Sequence, residues 1–271
     1  MKKAFTLIEL VVAVAILAMV LSFAGVIFKV SIGAYRTATA NTEIMQKLRA
    51  ITDQLNRDFK GLQKDGYLIL HSEVQTNRRE YQNSDPCNFR ADRLYYFSTG
   101  DFQSWFDSNI RSNIARVYFG HEQLSLFDGS IPVSEWNLAR DVMLLTPGYS
   151  SVDCNNISYA ECKANLGSFE DPNILLDYPV TIDAGVPDSF RNLLCQNVGA
   201  VQIEWTDGTK YPDPDNSLMW RGDDFFGTTT WDPSMQPQDW PKALKFTFTL
   251  YDSKGTLKGG RRFTHIVYLG D

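Results

Sequence analysis

The sequence predicts an α+β fold in which one long N-terminal helix lies on antiparallel β-sheets, and three observations predict it. An uncharged apolar run extends from Leu10 to Phe28. A one-sided apolar stripe follows it with no proline before Pro86. Beyond about residue 66 the apolar residues fall into short aromatic or β-branched segments bounded by Gly, Pro, Asp and Asn, the pattern of strands and turns. At 271 residues, 44% hydrophobic and 13% aromatic, the chain holds enough apolar surface for a real core.

The stripe consists of Ile44, Leu48, Ile51, Leu55, Phe59 and Leu62, recurring at steps of three and four, with Gln46, Lys47, Arg49, Asp53, Gln54, Arg57 and Lys60 between them. That is a helix with one face on a core. Gly61 and Gly66 punctuate its end, so a single helix is expected from about Phe5 to about Leu62, roughly 85 Å long. Strands are expected at 93–98, 114–120, 141–146, 198–206, 244–251 and 262–269. In the segment Leu244 to Tyr251, Leu and Phe alternate with Lys and Thr, as in a sheet with one buried and one wet face. Asp252-Ser253-Lys254-Gly255 reads as the hairpin turn into the last strand. The stretch from Asp207 to Pro241, rich in Asp, Gly, Pro and Trp, reads as a long excursion packed by Trp220, Trp231 and Trp240.

Lys2 and Lys3 precede the apolar run. Leu10 to Phe28 at ~1.5 Å per residue reaches across roughly 30 Å of hydrocarbon, and the two lysines are expected to stay on the cytoplasmic side. A secretory signal peptide is the rival reading, and Ser22-Phe23-Ala24 offers it a small-x-small cleavage site. Glu9 argues against it. A carboxylate at the edge of hydrocarbon costs several kcal/mol unless paired or protonated, so its presence implies a partner.

The segment Lys2-Lys3-Ala4-Phe5-Thr6-Leu7-Ile8-Glu9-Leu10 resembles the prepilin signature of type IV pilin-like proteins. The resemblance implies a four-residue leader (1–4) cut between Ala4 and Phe5 by a prepilin peptidase, methylation of the new terminal amine on Phe5, and Glu9 as the acid used in filament assembly. It also implies a transmembrane and filament-core helix over 5–28, its amphipathic continuation over 29–65 and a periplasmic β-rich domain over 66–271. Ala4 stands where the family usually has Gly. Three further phrases, Leu55-Asn56-Arg57-Asp58-Phe59, Ala200 to Gly208, and Trp240 to Phe246, are similar to the J-type minor pseudopilins of type II secretion and to the W-type minor pilins of type IV pili. The resemblance implies a pilin-like structural subunit rather than an enzyme. It would be anchored in the bacterial inner membrane, would partner other minor subunits and the major one, and would help start and cap a filament. The J-type secretion role is preferred; the length keeps open a W-type role in adhesion, motility or DNA uptake.

Other chemistry is weakly marked. A net charge of -6 and a pI near 5.1 argue against a nucleic-acid surface, which needs clustered Lys and Arg. His71, His121 and His265 are dispersed and form no HExxH frame, and no nucleophile elbow or phosphate loop occurs. No cofactor or metal is expected; Asp207, Asp213, Asp215, Asp223 and Asp224 offer oxygen ligands for calcium, but their spacing is not that of an EF-hand. The four cysteines lack zinc-type spacing and read as two disulfides in an oxidising compartment. Of the three possible connectivities, the short loop between Cys154 and Cys162 favours that bridge, which leaves Cys87 with Cys195.

Overall fold

The computed structural model describes residues 7–147, 154–155, 180–182, 185, 187–212, 216–222, 227–232, 234–236 and 239–270. One helix, α1, runs without interruption from Leu7 to Lys60, ~81 Å at the standard rise. Arg57 and Lys60 occupy its last turn, where cations oppose the negative end of the helix dipole. Gly61 then lets the backbone pass against the sheet: a Cβ there would stand 2.0 Å from the carbonyl oxygen of Thr99. The N–H of Thr99 donates to the carbonyl of Gly61 at 2.7 Å.

Twelve strands follow among the described residues. They are β1 (Leu68–Ser72), β2 (Val74–Arg79), β3 (Pro86–Arg90), β4 (Arg93–Gln103), β5 (Arg111–His121), β6 (Asn137–Leu145), β7 (Cys154–Asn155), β8 (Leu193–Gln196), β9 (Val198–Thr206), β10 (Gly227–Trp231), β11 (Ala243–Leu250) and β12 (Arg261–Tyr268). The larger sheet has the order β10-β1-β4-β5-β6-β7, with β8 also on β6; the smaller is β12-β11-β9, and β2 and β3 form a separate ribbon. Neighbours are antiparallel except β6 with β7. The predicted α+β architecture of a helix on antiparallel sheets is the one observed.

The core lies where the two sheets and the second half of α1 converge. Ile44, Ile51, Leu55 and Phe59 of α1 pack with Leu68, Leu94, Tyr96, Val117 and Phe119 of the larger sheet and Val201, Ile203, Leu244, Phe246 and Phe248 of the smaller. Phe59 stacks on Tyr96 at 4.6 Å and meets Phe246 at 5.8 Å. Asp92, fully buried between β3 and β4, joins the two sheets. Its carboxylate accepts the N–H of Ile203 on β9 at 2.8 Å and the guanidinium of Arg90 at 3.0 and 2.8 Å. Burial pushes this carboxyl upward against the pull of Arg90.

Two local expectations are corrected. The turn expected at Asp252-Ser253-Lys254-Gly255 is present, with the Gly255 N–H donating to the Asp252 carbonyl at 3.1 Å, but the link between β11 and β12 is longer and runs over residues 251–260, because Asp252 folds inward and its carboxylate accepts the N–H groups of Thr256 and Leu257 at 2.7 and 2.9 Å. Nor is 207–241 all excursion. It contains β10, which pairs with β1 along its whole length. Trp231 and Trp240 are buried as expected, while Trp220 is half-buried with the Lys245 ammonium 4.9 Å from its ring centroid.

His121 sits in the core. Its Nε2–H donates to the carbonyls of Val198 and Gly199 at 3.1 and 2.7 Å, and burial drives its pKa down to about 4. Unfolded, it would titrate near 6.5, so between these values only the unfolded chain binds the proton. Stability is therefore full above pH 6.5 and falls as pH drops toward 4, by ~3 kcal/mol for this group. Denaturant titrations of the detergent-solubilised chain at pH 7.0 and 4.5 should show this loss, and His121→Gln should flatten the difference while lowering stability at pH 7.

Candidate functional site: an apolar helix locked to a head

In the first half of α1 nearly every side chain is exposed, on all sides of the helix. Leu10 is 61% exposed and Phe28 68%, and the most apolar stretch is 0% buried. Apolar surface of this extent does not stay in water. The helix is long and apolar enough to cross a membrane, and Leu10 to Phe28 spans about the thickness of hydrocarbon. Glu9 lies in its first turn, where the helix dipole favours an acid. Ala4 and Phe5, the expected cleavage junction, lie outside the described residues.

Buried residues begin at Ala40, and from there the helix is locked to the head by polar groups as well as by the core. Lys47 donates to the Tyr251 carbonyl at 2.8 Å and to the Asn197 side-chain oxygen at 3.2 Å, and pairs with Glu43 at 2.8 Å. Glu43 accepts the N–H of Ser253 at 2.9 Å. Asn197 reaches this position with φ +58°, a left-handed conformation that Asn tolerates.

The strongest fixture is at the other end. Asp58, 5% exposed, receives Nε and Nη2 of Arg140 from β6, both at 2.7 Å. The Tyr96 hydroxyl donates to the same carboxylate at 3.2 Å and Gln54 at 2.8 Å, while Ser98 donates to the Asp58 carbonyl at 2.8 Å. The bidentate fork and the two added donors satisfy a carboxylate that would otherwise be too costly to bury. Sequence reasoning quoted Asp58 but assigned it no role. A signal was present: Asp58 stands on the apolar stripe, three residues after Leu55, where a charge needs a reason.

The remaining expectations fare unevenly. Cys87 and Cys195 are free thiols, which corrects the bridge expected between them. Cys87 is exposed on the β2–β3 ribbon, whereas Cys195 lies in the core among residues of α1 and both sheets. Cys162 lies outside the described residues, and with it the expected Cys154–Cys162 bridge. Asp207 is engaged by Arg221 at 2.7 Å, and Asp213, Asp215, Asp223 and Asp224 lie outside the described residues. Among the described residues no His, Cys, Asp and Glu cluster is arranged to hold a metal.

Residues 1–25 match the family model described as the prokaryotic N-terminal methylation motif. No curated protein and no solved structure matches the chain. The motif marks a type IV prepilin-like N-terminus of the kind processed by prepilin peptidase, and the long apolar helix followed by antiparallel sheets is a pilin-like architecture that fits a membrane-anchored pilin.

Breaking the Asp58–Arg140 pair should strand one buried charge. Asp58→Ala and Arg140→Ala should each lose on the order of 3 to 5 kcal/mol, and the double replacement Asp58→Ala with Arg140→Ala clearly less than the sum of the two. Equilibrium denaturation in detergent of the four proteins completes the cycle. For the thiols, brief iodoacetamide treatment at pH 8 should label Cys87 and spare Cys195, whose pKa is pushed up to about 11 by burial. Peptide mass spectrometry reads both, and a bridge between them would leave neither labelled.

Proposed function

We propose that this chain is a J-type minor pseudopilin, a structural subunit that helps start a type II secretion pseudopilus and sits at or near its end. The observation that carries the proposal is that the first half of α1 is apolar, is covered by none of the described residues of the chain's own domain, and bears Glu9 at its head. Such a helix suits two environments in succession. It lies first in a bilayer and then among equivalent helices of other subunits, where dispersion and close packing replace lipid contacts. In the second setting Glu9 pairs with the methylated amine of Phe5 on a neighbouring subunit. The two charges offset one another's burial and fix the axial register.

The size of the head supports a terminal place. Both sheets ride on one helix, and a filament interior repeats its subunits at close spacing, so a bulky head is accommodated most easily where nothing is stacked above it. A W-type role at the end of a type IV pilus uses the same physics. The two are separated by which subunits co-purify with the chain and by whether its deletion stops exoprotein secretion or piliation.

Processing should leave Phe5 as the mature N-terminus, carrying an added methyl group by mass spectrometry; a chain starting near Gly25 would mean signal-peptide cleavage instead. Glu9→Ala should insert and be processed as the native chain is, because the spanning run begins after it. Its incorporation with partner subunits should fall by at least ~10-fold, the effect of leaving a buried amine without its counter-charge. Glu9→Gln, which keeps the shape without the charge, should behave like Glu9→Ala. Membrane fractionation and co-purification read the two steps separately, and undiminished incorporation of Glu9→Ala would remove Glu9 from the pairing role.

A further inference from the structure

The larger sheet outruns the helix. β6 begins at Asn137, whose partner Gln196 adjoins the Asn197 that Lys47 of α1 holds. At Arg140 it is level with Asp58, near the end of α1, and it runs on to Leu145, ~16 Å further at the rise of a strand. β4 does the same: Thr99 bonds to Gly61 just past the helix, and the strand continues to Gln103. The β4–β5 turn therefore lies beyond the last turn of α1, at the pole of the head farthest from the apolar half of the helix. Ala115, two residues before the core residue Val117, faces the same side of the sheet as α1. Out here the helix no longer covers that side, and Ile110, Ala115 and Leu144 form a small cluster of their own with Phe102 and Val142 packed against it.

Over this cluster stands an open cavity of about 600 Å³, lined by Phe102, Trp105, Val142, Leu144, Arg140 and Arg191 among others. One wall is the β4–β5 turn. The Ser104 N–H donates to the Ile110 carbonyl at 2.9 Å, and the Ser104 hydroxyl oxygen accepts the N–H of Phe106 at 3.2 Å, so the turn is held in one shape. It presents Trp105 at 71% and Phe106 at 43% exposure. The other wall is the 3-10 helix Pro187–Asn192, where Phe190 is exposed as well. The Arg191 guanidinium lies over the Phe106 ring, 4.7 Å from its centroid, and joins the two walls. Exposed aromatics gathered beside an arginine are the residues that carry binding energy when another protein covers them.

The two arginines of the cavity are unequally committed. Arg140 is held by Asp58 through Nε and Nη2. Nη1 of Arg191 has no hydrogen-bond partner among the described residues. Asp141 feels the charge of Arg191, which pulls its carboxyl down against the upward push of burial, but offers no bond to that nitrogen. A guanidinium lying flat on an aromatic ring keeps its N–H edge for an anion. An apolar floor, an indole at the rim and an uncommitted guanidinium together complement a carboxylate that stands next to an apolar side chain.

We propose that this cavity docks an acidic, apolar peptide segment of another protein. Arg191 takes the carboxylate, Phe102, Val142 and Leu144 take the apolar side chain, and Trp105 covers it. A basic segment is repelled by Arg191, which gives the preference its direction. The inference deepens the end-of-filament reading and rests on it for the partner's access, because an end subunit leaves this pole uncovered.

The test uses the full chain in detergent with 5-fluorotryptophan in place of tryptophan, and Trp105→Phe assigns the Trp105 resonance in the fluorine NMR spectrum. The probes are the acetylated, amidated peptides Gly-Asp-Phe-Asp-Gly and Gly-Lys-Phe-Lys-Gly. The acidic peptide should shift the Trp105 resonance saturably, with a Kd of about 1 mM or tighter, and the basic one should leave it in place over the same range. Arg191→Gln should weaken the response at least ~10-fold, the effect of removing a charge-assisted hydrogen bond, and Arg191→Lys should restore part of it. Unmoved resonances from the other tryptophans report that each variant is folded. Equal shifts with both peptides, no shift at ~10 mM acidic peptide, or a native response in Arg191→Gln would each overturn the site. A response to benzoate as tight as that to the acidic peptide would show a site for small aromatic acids and overturn the peptide assignment. Glu9→Ala should bind the peptide as the native chain does. Incorporation with partner subunits is read separately, so peptide binding absent where incorporation is intact strikes the docking site alone.

Discussion

Every part of this molecule depends on how the last six or so turns of α1 are held to the sheets. The apolar half of the helix has no support of its own from the head, so any force on it reaches the sheets only through residues 40–60. The fixture there combines two kinds of interaction. Ile44, Ile51, Leu55 and Phe59 supply burial, which is strong but non-directional. Asp58 with Arg140, and Lys47 with Tyr251 and Asn197, supply directed contacts at the two ends of the packed segment. Two polar fixtures, separated by about three helical turns, resist both sliding and rotation of the helix, which burial alone would permit.

The same economy of directed polar groups joins the sheets. Asp92 bonds to the backbone of β9 while Arg90 neutralises it, and His121 bonds to the backbone at Val198 and Gly199. Both side chains lie on or next to the larger sheet and reach the smaller. They are costly to bury and gain their stability only from partners fixed by the fold, so they specify how the sheets meet as well as holding them. The chain is thereby made sensitive to acid, because His121 must stay neutral to remain where it is.

Much of this was legible in the sequence, and the divide is physical. The apolar run, the stripe and Glu9 are local patterns, so α1 could be read to within a few residues of its ends. The six expected strands were found because burial on one face leaves an alternation within a single segment, as in Leu244 to Leu250. β2 and β3 were missed because the ribbon is largely exposed and carries Arg78, Arg79 and Pro86, with little alternation to read. β1 was missed because its apolar run follows the helix with only a short break, and β10 because Thr228, Thr229 and Thr230 give no apolar signal. Arg140 lies 82 residues from Asp58, and no local pattern pairs them. The expected Cys87–Cys195 bridge failed for a related reason: loop entropy ranks connectivities, but only the fold decides whether two Cβ atoms face each other.

Between the membrane and the locked segment, α1 carries its least supported residues. Gly33 has no neighbouring atoms within 4 Å of where a Cβ would stand, and a helical glycine costs about 1 kcal/mol relative to alanine. Thr37, Thr39 and Thr42 turn their hydroxyls back onto the carbonyls of Gly33, Tyr35 and Ala38, a bond that slightly weakens and bends helices. Compliance is thus concentrated in the few turns that neither lipid nor core stiffens. A helix stiff throughout would force the orientation of the head to follow that of the spanning segment at every stage. With the soft stretch at 33–42, the spanning segment can keep the tilt set by the bilayer, or by neighbouring helices, while the head keeps the orientation set by its own contacts.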